Sequence, residues 1–154
     1  TVWTGQTVVA GASGTANQVL RIPGGGGAPT FGTVIATQAE MEAASSTTVY
    51  ASPGRTQYHP GVAKVWAKFD LAGVLNASYN VSSVTDTGTG NWTVNFTTAF
   101  SAANYASVVT HDTTGAVITT YSNQGTGNVI VRSFSDAGVA AEGNGSSFIA
   151  FGDQ

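Results

Sequence analysis

The chain has 154 residues and a formal net charge of −3, and charged residues make up 8% of it. Its 5 lysine and arginine residues cannot supply the many phosphate contacts that nucleic-acid binding needs, and the absence of cysteine excludes disulfides, thiol catalysis and zinc–cysteine sites. Every apolar run is far shorter than the roughly 20 residues that span a bilayer, so we predict neither a nucleic-acid partner nor membrane insertion.

The first zone, residues 1–35, is rich in glycine and poor in large apolar side chains. Only residues 7–10 and 18–22 have the composition of strands. A single chain buries too little apolar area here to offset the entropy lost on ordering. We therefore predict an extended segment, either a flexible linker or one that partner chains order.

The second zone, residues 36–60, contains the only helix signal. Thr37 and Glu40 have the spacing of a capping box, and Ala39, Met41 and Ala43 are good helix formers. The predicted helix is about two turns long, which is too short to persist alone in water, so it must dock on another surface. Residues 49–55 are predicted to be extended chain and a turn. We call this zone the helical collar.

The third zone, residues 61–154, has the pattern of continuous β structure. Trp92, Val94 and Phe96 fall on one strand face and the residues between them on the other, the period of a half-buried strand. Turn-forming residues separate the strands at 86–91, 112–115 and 123–128. The pattern predicts an antiparallel β-sandwich head of seven strands, at residues 62–69, 74–84, 92–97, 104–111, 116–121, 128–134 and 147–151. Core packing is the predicted role of the strand aromatics, which are Trp66, Phe69, Tyr79, Trp92 and Phe96.

Catalytic chemistry finds little support in the sequence, and we predict no enzyme, no cofactor and no metal. His111 and Asp112 are neighbours in a strand and therefore point to opposite faces. The acidic residues are scattered and mostly stand beside turn residues, which favours a turn-forming role, although two could converge to hydrolyse a glycan. His59 could bind a metal on the axis of a symmetric trimer, the alternative being a hydrogen-bonded structural histidine.

One loop has the composition of a sugar-binding surface. Tyr121 is followed by Asn123 and Gln124, so an aromatic ring stands beside neutral amides. Rings stack on sugars and amides hydrogen-bond with their hydroxyl groups. An ordinary surface loop is the alternative interpretation.

Several stretches, taken in order, resemble bacteriophage fibre proteins. The stretch from Gly14 to Arg21 and residues 27–32 are similar to a repeat of phage fibre shafts, and residues 36–55 are similar to the helical collar of tail fibres. Four further stretches resemble a terminal domain frequent in such fibres, at residues 63–69, 77–86, 88–90 and 92–97.

The resemblance implies a homotrimer in a virion, as a tail fibre or on the capsid surface. Residues 1–35 would be an extended shaft that attaches to other virion proteins, and the head would adsorb to the host surface, with a glycan as the expected ligand. Contacts between copies would involve Ala39, Met41 and Ala43 in the collar. The head loops supply five candidate receptor-binding residues, which are Tyr121, Asn123, Gln124, Asp136 and Asn144. A head-fibre or decoration protein with no receptor is the alternative, followed by a glycan-degrading tailspike.

Overall fold

The computed structural model describes residues 18–21, 30–33, 35–112 and 117–154, and the protein is mainly β. Among the described residues two helices come before the main sheets, α1 at Gln38–Ala43 and α2 at Pro53–Thr56. The strands are β1 Gln18–Arg21, β2 Thr30–Thr33, β3 Val65–Asp70, β4 Leu75–Tyr79, β5 Val81–Gly88, β6 Asn91–Phe96, β7 Ala106–His111, β8 Val117–Ser122, β9 Asn128–Ser135 and β10 Gly145–Phe151.

The described part of the first zone is an antiparallel strand pair. Strand β1 confirms most of the strand predicted at 18–22, and it pairs with β2, which the sequence analysis did not predict. The strand-like residues 7–10 lie outside the described residues, as does most of the predicted extended segment.

Helix α1 confirms the predicted capping box. The Glu40 N–H donates to Thr37 Oγ1 at 3.3 Å, and the Thr37 N–H donates to Glu40 Oε2 at 2.8 Å. The helix ends at Ala43, and the capping residue Ala44 has a left-handed φ of 48°. The sequence analysis predicted a turn where the structure has helix α2. Pro53 occupies the first position of this helix, where the fixed φ of proline favours helix formation. Within the described residues no helix is long and apolar enough to cross a membrane.

Eight strands form two four-stranded antiparallel sheets within residues 35–112 and 117–154. Sheet 1 has the order β4-β3-β10-β7, and sheet 2 has the order β5-β6-β9-β8. Described loops project from two ends of this pair of sheets. At the collar end, Lys64 and Phe151 lie beside the segment that contains α1 and α2. At the opposite end lie the turns after β3, β5 and β9.

The single strand predicted at 74–84 is wrong, because Asn80 divides it into β4 and β5. Asn80 has a left-handed φ of 57°, a conformation that asparagine tolerates better than most residues. This one residue carries the chain from the edge of sheet 1 to the edge of sheet 2. The region therefore has eight strands where seven were predicted.

Alternating residues from both sheets form one hydrophobic cluster. Its members include Val65, Phe69, Trp92, Val131 and Phe148, all at most 2% exposed. The prediction that strand aromatics pack in the core is thus confirmed for Phe69, Trp92 and Phe96.

The same prediction is wrong for Trp66 and Tyr79. Trp66 lies between the buried residues Val65 and Ala67, so the alternation of strand side chains turns it outward. Tyr79 pairs with Trp66 in the register of β3 and β4 and points to the same side. Both rings are exposed on the outer face of sheet 1.

Candidate functional site

The structure does not bring the five predicted receptor-binding residues together. Tyr121 lies in β8, and Asn123 and Gln124 follow that strand toward the collar end, where Gln124 contacts Tyr105. Asp136 and Asn144 lie at the opposite end, in the turn after β9 and beside the start of β10. The five residues therefore occupy two separate regions of the head.

The three residues near β8 differ in what they offer to a ligand. Tyr121 is 40% exposed, and Asn123 adopts a left-handed φ of 50°. The Gln124 side chain is committed to the fold, because its Nε2 donates to the Tyr105 carbonyl oxygen at 3.1 Å and to Ser107 Oγ at 3.2 Å. Tyr121 is the member of this group with a free aromatic surface.

The three collar residues predicted to contact other copies also differ in their exposure. Met41 is 7% exposed within the single chain, whereas Ala39 and Ala43 on the same helix are exposed. Met41 therefore already packs against its own chain, and the two alanines remain available to another molecule.

A row of large apolar side chains crosses the outer face of sheet 1. Tyr79 pairs with Trp66, Trp66 pairs with Ile149, and Ile149 pairs with Val108, so one side chain from each strand stands side by side. Tyr79, Trp66 and Val108 are 45%, 40% and 56% exposed. We call these four residues the apolar row.

The apolar row carries no charge, and the nearest cation along β3 is neutralised. Lys68 stands two residues beyond Trp66, and its Nζ lies 3.4 Å from Asp112 Oδ2. Both side chains are exposed, so the pair contributes little to stability, but it leaves no isolated cation beside the row.

The outer face of sheet 2 has a different character. The corresponding row across its four strands consists of Thr85, Thr93, Ile130 and Ser122. Beside it, Asn95 Nδ2 donates to Ser83 Oγ at 3.0 Å. Hydroxyl and amide groups thus cover most of the face that sheet 2 presents to solvent.

A groove lies between the collar and the ends of β4 and β6. Its volume is about 540 Å³, and its lining is made of uncharged polar side chains and tyrosine rings. We call it the amide groove, and its residues are Gln38, Gln57, Tyr58, Tyr79, Asn80, Thr97, Thr98 and Gln154. None of them was predicted as a site residue, because they come from five separate stretches of the chain and share no local motif.

Hydrogen bonds fix the amide side chains of the groove. Gln57 Nε2 donates to the Gly54 carbonyl oxygen at 3.0 Å, and Gln154 Nε2 donates to the Thr98 carbonyl oxygen at 2.9 Å. Gln38 Nε2 donates to Glu42 Oε1 at 2.7 Å. In each case the amide nitrogen is used within the chain, which leaves the amide oxygen to accept hydrogen bonds from elsewhere.

Lys64 joins the collar to the sheets beneath the groove. Its side chain is only 3% exposed, and its Nζ donates to the carbonyl oxygens of Gln57 and His59. Burial lowers the pKa of the ammonium group, and the carboxylates of Asp153 and Glu42 oppose that effect. Because its charge is used on backbone carbonyls, Lys64 presents no cation to the groove.

The two histidines make structural hydrogen bonds. His59 Nδ1 accepts from the Gly61 N–H at 3.1 Å. His111 Nδ1 lies 2.7 Å from Ser146 Oγ, on the inner side of its strand, while Asp112 contacts Lys68 on the outer side. Among the described residues no three histidine, aspartate or glutamate side chains form a group that could hold a metal ion.

Two aspartates at the opposite end act within turns. Asp70 Oδ1 accepts from the backbone N–H groups of Ala72 and Val74 at 3.0 and 2.8 Å. Asp86 Oδ1 accepts from the Gly88 N–H at 2.9 Å. These bonds are the local pattern by which aspartate shapes a turn.

Comparisons of this chain with protein-family models, with curated proteins and with solved structures gave no match.

Proposed function

We propose that this chain is the collar and head of a virion fibre or spike protein, which works as a homotrimer and adsorbs to a host surface. In this proposal the two sheets pack face to face as a β-sandwich around their common hydrophobic cluster. Residues 1–35 attach to other virion proteins. The observation that supports the proposal best is the exposed apolar row on sheet 1.

The apolar row favours contact between copies for two reasons. Burying Trp66, Ile149 and Val108 removes apolar surface from water, at roughly 25 cal/mol per Å². Tyr79, on the edge strand of the sheet, also lines the amide groove and stays outside this contact. Identical faces that meet around a symmetry axis also bring identical charges together, and this row has none. The hydroxyl-rich face of sheet 2 would then remain in solvent, because water already forms hydrogen bonds with its polar groups.

Three copies would adsorb through several weak contacts in place of one strong contact. Linking three sites raises the effective concentration of the second and third sites after the first has bound. Such a module needs neither a deep pocket nor a converging set of catalytic side chains. The structural histidines and turn-forming aspartates described above are consistent with a binding protein of this kind.

Sedimentation velocity tests self-association with a matched pair of variants. The wild-type chain is expected to sediment with the mass of a trimer, and Trp66→Ser to shift it toward the monomer. Ile118→Ser is the control, because Ile118 is 59% exposed on the outer face of sheet 2 and its loss should leave the trimer unchanged. A wild-type monomer at all concentrations would contradict the proposal.

The alternative is a decoration protein that assembles on the virion without binding a receptor. One observation favours it: the predicted receptor-binding residues lie at two ends of the head. Purified trimer labelled with a fluorophore separates the two functions. An adsorption protein binds host cells and competes with the virion for them, whereas a decoration protein binds the particle alone.

A further inference from the structure

We propose that the amide groove is a binding site for a neutral saccharide. The inference rests on the proposed adsorption function and deepens it, because it moves the saccharide site from the loop after β8 to the junction of collar and sheets. Within the described residues, the groove is lined by three glutamines, one asparagine, two threonines and two tyrosines.

The lining chemistry matches the groups of a sugar. A saccharide offers hydroxyl groups that donate and accept hydrogen bonds, and flat patches of C–H groups that pack on aromatic rings. The oxygens of Gln38, Gln57 and Gln154 accept from such hydroxyls, and the hydroxyl groups of Thr97 and Thr98 do both. Tyr58 and Tyr79 supply the rings.

The groove is also organised before a ligand arrives. Internal hydrogen bonds hold the Gln57 and Gln154 side chains, so binding a sugar immobilises fewer freely rotating groups than an unconstrained surface would require. Asn80 is fixed more tightly still, with its side chain bonded to Lys64 and Thr98. The volume of the amide groove, about 540 Å³, lies within the range of small-molecule sites.

Charge decides which class of saccharide fits. Sialic and uronic acids carry a carboxylate that a protein normally meets with lysine or arginine. The groove lining has neither, and Lys64 beneath it is occupied by backbone carbonyls. The nearby Arg55 guanidinium stands over the Tyr58 ring, 5.9 Å from its centroid. The carboxylate of Glu42, held by Gln38 at the groove's edge, would in addition repel an anion. A neutral oligosaccharide is therefore the favoured ligand.

The experiment presents the assembled wild-type protein with an array of immobilised neutral oligosaccharides built from glucose, galactose, mannose and N-acetylhexosamines, together with sialylated and uronate-containing counterparts. We expect binding to at least one neutral structure and weaker binding to its anionic counterpart. Replacing one hydrogen-bonding group by Gln57→Leu should weaken that binding roughly fivefold. Removing a stacking ring by Tyr79→Ala should weaken it roughly tenfold.

Tyr121→Ala is the matched control, because Tyr121 has nearly the same exposure as Tyr79 but lies on the other side of the head. Binding lost in Tyr121→Ala and retained in Gln57→Leu would overturn the inference, as would an array on which no neutral structure binds. Each variant is also sedimented. Groove-dependent binding by a monomer would support this inference and contradict self-association, whereas a trimer that binds no neutral sugar would contradict the inference alone.

Discussion

The side-chain amide of Asn80 bonds to both backbone groups of Thr98. Its Oδ1 accepts from the Thr98 N–H at 2.7 Å, and its Nδ2 donates to the Thr98 carbonyl oxygen at 3.1 Å. The same Nδ2 donates to the Lys64 carbonyl oxygen at 3.1 Å. One side chain thus ties the beginning of sheet 1 to the end of a strand in sheet 2, at the residue where the chain passes between the sheets.

Asn80→Ala should lower the free energy of unfolding by about 3 kcal/mol, from three lost hydrogen bonds and a left-handed φ that alanine disfavours. Urea unfolding followed by tryptophan fluorescence measures the change. Asn80→Gly separates the two causes, because glycine accepts the φ of 57° and loses only the hydrogen bonds. Equal stability of Asn80→Ala and wild type would show that the corner does not depend on this side chain.

The sequence predicted those features that depend on neighbouring residues. The capping box requires only Thr37 and Glu40, three positions apart, and the inward face of β6 follows from the alternation of Trp92 with Thr93. The corner at Asn80 could not be predicted, because its side chain bonds to residues 16 and 18 positions away. The only local signal was asparagine's tolerance of left-handed φ.

The candidate site was harder to predict than the fold for the same reason. The amide groove collects residues from Gln38 to Gln154, and no spacing rule connects them. The apolar row depends on strand order and register, which join Tyr79 to Val108 through two intervening strands. Composition did indicate the chemistry of neutral amides beside tyrosine, although it indicated the loop at Tyr121 and not the groove.

Two turns with the same sequence should respond differently to the same substitution. Gly-Thr-Gly-Asn occurs at residues 88–91 and at 125–128. Gly90 has a φ of +62°, and an added Cβ would lie 2.6 Å from the Ser133 carbonyl oxygen and 2.8 Å from that of Ala141. At Gly127 an added Cβ would meet nothing within 4 Å.

Gly90→Ala should therefore destabilise the protein by more than about 2 kcal/mol, from backbone strain and a contact that neither carbonyl can relieve. Gly127→Ala should leave the stability nearly unchanged. Thermal unfolding of the two variants side by side measures the difference, and equal losses would contradict the structure of the first turn.

Tyr105 should titrate at an unusually high pH. Its hydroxyl donates to the Asn128 carbonyl oxygen at 3.2 Å, its ring stacks on Phe100 at 4.0 Å, and burial raises the pKa of the phenol to about 12. Between pH 10 and about 12 the folded protein keeps a proton that the unfolded chain has lost. The free energy of unfolding therefore falls as pH rises through this range. Tyr105→Phe should remove absorbance that develops near pH 12 in a phenolate titration. Loss of the same amplitude near pH 10 would mean that Tyr105 is accessible to solvent.

His111 should make the fold sensitive to mild acid. Burial against Trp92, 6.1 Å between ring centroids, lowers the pKa of the imidazole below its ordinary 6.5, and the nearby Asp112 carboxylate opposes the effect only in part. Between the folded pKa and 6.5 the unfolded chain binds more protons than the folded one. Stability is therefore complete above that window and falls as pH decreases through it, by at most about 1.4 kcal/mol per pH unit.

The measurement is the free energy of unfolding in urea at a series of pH values, with His111→Gln as the variant that does not titrate. We expect the two stability curves to run parallel above pH 6.5 and to diverge below it, with wild type losing stability faster. Glu40, whose carboxylate accepts two hydrogen bonds from Thr37 and whose pKa is lowered from 4.5, becomes relevant only in stronger acid, so it does not obscure the effect. Parallel curves throughout would show that His111 can accept a proton without leaving its place beside Ser146.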